Sequence, residues 1–370
     1  GYYGKLLSWK GRSMLLKKLS QLKMDFYIYG PKEDPLHRIK WSDSYEKSSL
    51  KKFKQFRDEA IELGIKPYFS LSPGIGFTGS QEDIKNIKRK FDQLLELGYE
   101  HFALLFDDLD VERSYELATL HGKVLETISQ YLEGKTASPL MFCPTVYCNS
   151  FARGDLKNSV YIKGLSASVP ESLPLLWTGR DVVSESISNE DVLELKALIS
   201  NPIIIWDNYY ANDYCPYKFF IGTFSDRIFT EESVQGLGIN PTGMPLTDSI
   251  ILEQVKGERN TKEILKDYAV PEVFNELLPY FEGPFVKTSK IDSQKDIDNL
   301  LMHKQDLCID WKSDLQLEWA PFLWSFFNDL KFLKDLNLGG DKDLLEAWAS
   351  RRYSNPLSKS IFVEKNKGER

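Results

Sequence analysis

The chain has 370 residues, 42% hydrophobic and 27% charged, with 47 Lys and Arg against 54 Asp and Glu for a net charge of −7. This composition excludes disordered, collagen-like and low-complexity classes, and the length suits two to three domains or one large α/β barrel with an appendage. The acidic balance and the lack of a long Lys/Arg run argue against nucleic acid as a partner.

Short apolar runs recur in order at Asp25–Tyr29, Lys66–Leu71, His101–Phe106, Leu140–Cys143, Leu175–Trp177, Ile203–Trp206 and Gln235–Ile239. Bounded by polar or Gly-rich residues, they read as buried strands. Helical stripes lie between them. Leu50, Phe53, Ala60 and Ile61 stop before Gly64, while Ile84, Ile87, Phe91, Leu94 and Leu95 are opened by Ser80 with Asp83 three residues on and closed by Gly98. Leu117, Leu120, Val124, Leu125 and Ile128 form a third stripe ahead of Gly134. The unit recurs every 28 to 41 residues. Such alternation predicts parallel strands with crossover helices, in either an open doubly wound sheet or a closed (β/α)8 barrel. Seven strands plus a remnant at Gly1–Gly4 favour a TIM (β/α)8 barrel over 1–245 with a nearly absent first strand, and no dinucleotide or P-loop glycine motif follows any strand.

From about Leu246 the strand signal stops. Thr261–Phe281, Gln294–Trp311 and Asp314–Leu336 read as helices, so 246–370 is expected to be a C-terminal α-helical domain, with Gly283 to Ser293 as a connection and Glu364–Arg370 frayed. The apolar stretch Trp319–Phe327 is nine residues long, whereas a membrane span needs about 20, so no membrane partner is expected. Its aromatics, Trp319, Phe322, Trp324, Phe326 and Phe327, predict burial in a bundle or in a homodimer through the helical domain. Cys143, Cys148, Cys215 and Cys308 lack metal-ligand spacing and are too sparse for a disulfide scaffold, which predicts free thiols. The sequence opens at Gly1 with neither Met nor a signal-like segment, so an upstream segment is expected to have been removed; this constrains location little, with a soluble, cytoplasmic one favoured.

In a barrel, function sits just after the strands. Phe102–Phe106 runs straight into Asp107-Asp108. A carboxyl held there behind an apolar run can be kept protonated by desolvation and a charged neighbour, as a general acid requires; the structural alternative is an Asx turn or cap. With Asp110, the pair is also a candidate magnesium cluster, although no phosphate-binding glycine loop or second acidic cluster accompanies it. Trp206–Tyr214 crowds two Asn, two Asp, three Tyr and a Trp into nine residues. Amides and carboxylates bind vicinal hydroxyls and aromatic faces stack on sugar rings, so this segment suits a carbohydrate, against an Asn/Asp-rich turn as the plainer reading. Tyr29-Gly-Pro-Lys32, Cys143-Pro-Thr-Val-Tyr147, Trp177-Thr-Gly179 and Asn240-Pro241 cap further strands.

Taken in order with Gly1-Tyr-Tyr-Gly4, Asp34, His37-Arg38 and Ser70-Leu-Ser-Pro-Gly74, these motifs make the chain resemble glycoside hydrolase family 84, the retaining β-N-acetylglucosaminidases that include the O-GlcNAc hydrolases. The resemblance spans about residues 1–241 and, more loosely, the helical tail. It implies that Asp107 orients and polarises the substrate's 2-acetamido group and that Asp108 is general acid and then base. Tyr147 would bond near the reacting acetamido oxygen. Lys32, Asp213, Asn240 and the Gly1 carbonyl would hold sugar hydroxyls, Asn208 would lie beside the acetamido group, and Trp206 with Cys143 would line its methyl pocket. Val146 departs from the Glu frequent there in the family.

Spacing agrees with this chemistry. Adjacent strand-end residues project differently, so Asp107 and Asp108 are poorly placed to flank one glycosidic bond as nucleophile and acid about 5 Å apart. Something else must then attack; with the substrate's acetamide oxygen as nucleophile, as the resemblance implies, the reaction would run through an oxazoline with no metal or cofactor. The partner would be β-linked GlcNAc on protein or glycan. The competing expectations are a catalytically silent sugar-binding or scaffold protein, and a magnesium-dependent barrel enzyme using Asp107, Asp108 and Asp110.

Overall fold

The computed structural model describes residues 6–74, 76–230, 232–286, 291, 293–336, 342–351 and 356–357. Among these, two compact units form: one runs up to Tyr209 and includes Ser225–Gly243, and the other takes Tyr210–Phe224 and the chain from Met244 onward. The helix α1 (Trp9–Gln21) leads into strands β1 (Phe26–Tyr29), β2 (Lys66–Leu71), β3 (His101–Leu105), β4 (Met141–Cys143), β5 (Leu175–Trp177), β6 (Ile187–Ser188), β7 (Ile203–Asp207), β8 (Arg227–Ile228) and β9 (Gly236–Ile239). All seven apolar runs singled out in the sequence are strands of one parallel sheet, ordered β1-β2-β3-β4-β5-β7-β9, while the two-residue β6 and β8 pair apart from it. Helices α2 (Lys47–Glu62), α3 (Gln81–Leu95), α4 (Tyr115–Leu132), α5 (Val160–Ser168) and α6 (Asn189–Lys196) supply the crossovers. The cap read at Ser80 is present, with its hydroxyl accepting from the Asp83 amide and the Asp83 carboxylate accepting from the Ser80 amide.

Period-two alternation explains why these strands read as unbroken apolar runs. Phe102, Leu104, Phe142, Leu175, Trp177, Ile203 and Ile205 belong to the core packed with helix residues Phe91, Leu94, Leu125 and Leu165. Their neighbours Ala103, Leu105, Met141, Cys143, Leu176 and Ile204 form a second, inner cluster. Both faces are therefore buried, as a parallel sheet requires. The sheet curls: the Phe26 ring on β1 lies 3.6 Å from where a Cβ on Gly238 of β9 would stand. The strand remnant expected at Gly1–Gly4 lies outside the described residues.

The second unit holds α7 (Pro245–Lys256), α8 (Thr261–Asp267), α9 (Gln294–Met302), α10 (Asp314–Leu336) and α11 (Lys342–Arg351). Two expected helices are shorter than read. The first stops because Ala269 takes a left-handed φ of 52° and Pro271 has no amide hydrogen, leaving only 3-10 turns up to Tyr280. The second ends at Met302, before a wider turn at Asp306–Asp310. Parts of the Gly283–Ser293 connection, and all of Glu364–Arg370, fall outside the described residues. Trp319, Phe326 and Phe327 are fully buried in this unit's own core, and the Trp319 indole donates to Thr247 Oγ1 at 2.9 Å. Trp324 is instead 38% exposed, with Lys304 Nζ 4.8 Å from its ring centre. All four cysteines are free and buried. Among the described residues, no helix is long and apolar enough to cross a membrane.

Two histidines in the first unit are buried without charge. His121 stacks on Phe106 with ring centres 4.0 Å apart and faces the Tyr161 hydroxyl at 3.0 Å, and desolvation lowers its pKa to about 3. His37 is pushed well below its ordinary value, first by burial and then by the Lys32 charge. An unfolded chain protonates both near pH 6.5, so their neutral burial supports the fold above that value and loses support as pH falls toward the folded values, by about 1.4 kcal/mol per proton per pH unit. Urea denaturation at pH 7, 6 and 5 should show stability falling with acid. His121→Gln should remove close to one proton from the slope; an unchanged slope would refute the assignment.

Candidate active site

The β1 exit must pass close under β2. A Cβ on Gly30 would stand 2.6 Å from Ser70 Oγ, so only glycine fits this close approach. Ser70 Oγ donates to the Tyr29 carbonyl at 2.7 Å. Two residues on, Lys32 turns inward. The loop is pinned by buried Asp34, whose carboxylate accepts from the Tyr29 hydroxyl at 2.7 Å, the Tyr45 hydroxyl at 2.8 Å and the Leu36 amide at 2.9 Å.

Lys32 Nζ is ion-paired with Asp107 Oδ2 at the exit of β3, with both side chains almost wholly buried. Burial on its own would raise the Asp107 pKa, but the Lys32 charge and hydrogen bond, with Arg38 behind them, outweigh it and hold the carboxyl below its ordinary value. Asp107 therefore stays a carboxylate at neutral pH. Its other oxygen, Oδ1, is buried and has no hydrogen-bond partner among the described residues. An uncompensated buried carboxylate oxygen is costly, which marks it as a place for a donor from outside the chain.

Asp108 turns the other way. Its φ of 108° lies in the left-handed region, a conformation that costs a non-glycine residue about 1–3 kcal/mol. Buried Arg38 supports that turn, donating to the Asp108 carbonyl at 2.6 Å and to the Asp107 carbonyl at 3.3 Å. The result directs Asp108 Oδ1 to the Tyr147 hydroxyl, which donates to it at 2.5 Å. Tyr147 sits on the β4 exit loop, where Thr145 Oγ1 donates to the Phe106 carbonyl at 2.8 Å and the Thr178 amide donates to the Tyr147 carbonyl at 2.9 Å. Burial and then the Asp108 charge push the Tyr147 phenol well up, so it remains a donor.

Below these groups lies the inner cluster, containing Cys143 and Tyr147, with half-buried Trp206 packed against it. Burial, then the Asp107 charge, raises the Cys143 thiol well above its ordinary value, so it acts as a small apolar group. Asn208, just past β7, donates from Nδ2 to the Val182 carbonyl at 2.7 Å, while its buried Oδ1 has no partner among the described residues. Asn240, past β9, is buried and donates its amide to the Asp207 carbonyl at 2.9 Å.

Lys32, Asp107, Asp108, Tyr147, Cys143 and Trp206 are thus joined by contacts, and Asn208 and Asn240 stand at neighbouring strand ends. Asp213 belongs to Tyr210–Phe224, the segment of the second unit, where its carboxylate accepts the Tyr214 amide at 3.1 Å. The aromatic run Trp206–Tyr214 is therefore divided between the units after Tyr209. Gly1 lies outside the described residues. The proposed magnesium cluster is not assembled: Asp107 is paired with Lys32, Asp110 is exposed, and among the described residues no group of three or more His, Cys, Asp or Glu could hold a metal ion. Two supports escaped the sequence reading. Arg38 stood in a motif without a role, and Arg227 clasps Asp207 at the end of β7 with contacts of 2.7 and 3.2 Å. Neither has a local spacing signal, because each partner is at least 20 residues away.

A family model for β-N-acetylglucosaminidase matches residues 1–278. The chain belongs to this family. Its resemblance to glycoside hydrolase family 84, carried by the strand-end motifs, is thereby shown, and the family is one of hydrolases. Over 236 residues the chain is 33% identical to the protein O-GlcNAcase of Mus musculus and equally to that of Rattus norvegicus, matching 61% of this chain and 25% of each relative. It spans about a quarter of the length of these curated relatives. A solved variant of the Thermobaculum terrenum O-GlcNAc hydrolase shares the fold, with a TM-score of 0.77 and 22% identity over 97% of this chain and 91% of that one.

The Lys32–Asp107 pair yields a test of the electrostatics. In Lys32→Met, burial acts on Asp107 with less opposition, so its pKa should rise by about one unit or more. If turnover needs the carboxylate, the acid limb of the kcat profile moves to higher pH. A limb that stays in place would show that Lys32 does not keep Asp107 charged.

Proposed function

We propose that the chain is a retaining exo-β-N-acetylglucosaminidase, acting on β-linked GlcNAc by substrate-assisted catalysis. The observation that carries this reading is the buried, charge-paired Asp107 with one oxygen lacking a partner among the described residues, beside an Asp108 directed to Tyr147. A carboxylate held ionised by Lys32 is a poor proton donor and a good acceptor. It would accept the N–H of the 2-acetamido group, raising the nucleophilicity of the acetamide oxygen and steadying the positive charge that develops as that oxygen attacks the anomeric carbon. Asp108 would give its proton to the departing glycosidic oxygen, leaving an oxazoline. It would then take a proton from the water that opens this ring, so that two inversions restore the β configuration.

The remaining side chains have roles consistent with this. Tyr147 would steady Asp108 and the acetamido oxygen, Asn208 Oδ1 and Asn240 would meet donors on the substrate, and Cys143 with Trp206 would take the acetyl methyl. Asp213 and the Gly1 carbonyl would hold sugar hydroxyls. The finer reading of the fold belongs to the same proposal: a (β/α)8 barrel over 1–245 with a nearly absent first strand, followed by a helical domain. The names of the relatives favour O-GlcNAc on protein as the substrate, as against other glycans.

Aryl β-N-acetylglucosaminides should be hydrolysed, in excess EDTA as without it; loss on chelation, restored by magnesium, would favour the metal-dependent reading. Binding of GlcNAc without turnover would favour the silent sugar-binding reading. The aspartates should separate by leaving group. Asp108→Asn should slow an alkyl leaving group much more than an activated aryl group that departs unaided, whereas Asp107→Asn should slow both comparably, by on the order of 10² or more. N-trifluoroacetyl substrates should slow the wild type. The opposite leaving-group pattern would reverse the two roles.

A further inference from the structure

The loop after β3 carries one cation that the chemistry above does not use. Arg113 lies five residues beyond Asp108, and its guanidinium carbon is 4.1 Å from the centre of the Phe151 ring. Phe151 meets Tyr147 edge-on with ring centres 4.9 Å apart, and Tyr147 donates to Asp108. An unbroken series of contacts thus runs from the proposed acid to Arg113. The side chain is half-buried, and its Nε is buried with no hydrogen-bond partner among the described residues. Among the described residues, Arg113 makes no hydrogen bond or ion pair at all. The nearby acids do not serve it: Glu112 is exposed, and Asp108 is directed to Tyr147. Val111 and Tyr115, on either side of it, are each 45% exposed.

A guanidinium that is partly desolvated, laid on an aromatic face and left without an anion has already met the ordering cost of binding one. Its planar fork matches a carboxylate. Its place is read from the loop it shares with Asp108, whose flanking Val111 and Tyr115 are exposed: a general acid faces the leaving oxygen, and the solvent side of its loop is where a leaving group would lie. We propose that Arg113 is a specificity-determining residue on the leaving-group side of the site, selecting β-GlcNAc conjugates whose aglycone carries a carboxylate. The inference rests on the function proposed above. Two sources share this chemistry, an acidic residue near a glycosylated Ser or Thr and a uronic acid in a glycan.

The test compares matched pairs. One pair is a GlcNAc-Ser peptide with Glu or Gln two residues from the sugar, and the other is GlcNAc β-linked to glucuronate or to glucose. The quantity read is the kcat/KM ratio within each pair, which does not depend on how much of a variant is folded. Wild type should prefer the carboxylate member of at least one pair by about tenfold, a size typical of a charge-assisted hydrogen bond, and that pair names the source. Arg113→Met should bring the ratio near one, and Arg113→Lys should keep part of it. Ratios near one in the wild type, or a preference that survives Arg113→Met, overturn the inference while leaving the function intact. If neither these conjugates nor aryl β-GlcNAc is hydrolysed, the function itself fails and the inference with it.

Discussion

Holding a carboxylate charged inside an apolar sheet is the demand that most of this site answers. Taking such an ion out of water costs several kcal/mol even after relaxation, and only a close opposite charge with good hydrogen bonding offsets it. Lys32 supplies that charge to Asp107. The ion pair depends in turn on backbone features: Gly30 lets the β1 exit pass Ser70, and Asp34, held by two tyrosines and an amide, fixes the loop that aims the lysine. Removing one partner of such a pair would leave a lone buried charge, so the site is more sensitive to these supports than their distance from the chemistry suggests.

The second constraint is that two neighbouring aspartates must live in different surroundings. A strand continued past Asp107 would alternate their side chains across the sheet, but the left-handed turn at Asp108 does more, freeing both carbonyls to accept from Arg38. One residue is then charge-paired and buried, while the next faces a neutral phenol. Two chemically identical groups thereby meet different surroundings, as the different tasks proposed for them require. The strain at Asp108 is affordable because a buried guanidinium and the flanking strand over-determine the turn.

Much of this was legible in the sequence because parallel strands buried on both faces must be apolar throughout, so each run and its polar exit stood out. Asp107, Asp108, Lys32 and Tyr147 were visible as exits. Arg38 and Arg227 were not, since their partners are set by curvature of the sheet and not by spacing along the chain. The division of Trp206–Tyr214 between two units was hidden for a related reason: local composition marks a polar segment without saying which core its aromatics enter. In the tail, helical periodicity continued across Ala269 and Pro271, where backbone conformation and a missing amide donor end the helix.

The inner face of the sheet explains how a charged site and an apolar one coexist. Ala103, Leu105, Met141, Cys143, Leu176 and Ile204 form one apolar cluster on the inner face, and its Cys143 lies close enough to Asp107 and Asp108 to feel their charges. Such a floor keeps the local dielectric low, which strengthens the Lys32–Asp107 attraction and also keeps the Cys143 thiol neutral. A polar or charged residue on that floor would weaken both effects at once. In the proposed reaction the same surface would meet the acetyl methyl, so an N-acetyl sugar could satisfy with its N–H the Asp107 oxygen that has no partner among the described residues, while burying its methyl on apolar atoms. A sugar with a hydroxyl or a free ammonium at that carbon can offer a donor but not the methyl, and it brings no acyl oxygen to attack. Selection for the acetamido group and activation of that group would then draw on one arrangement of charge over an apolar base.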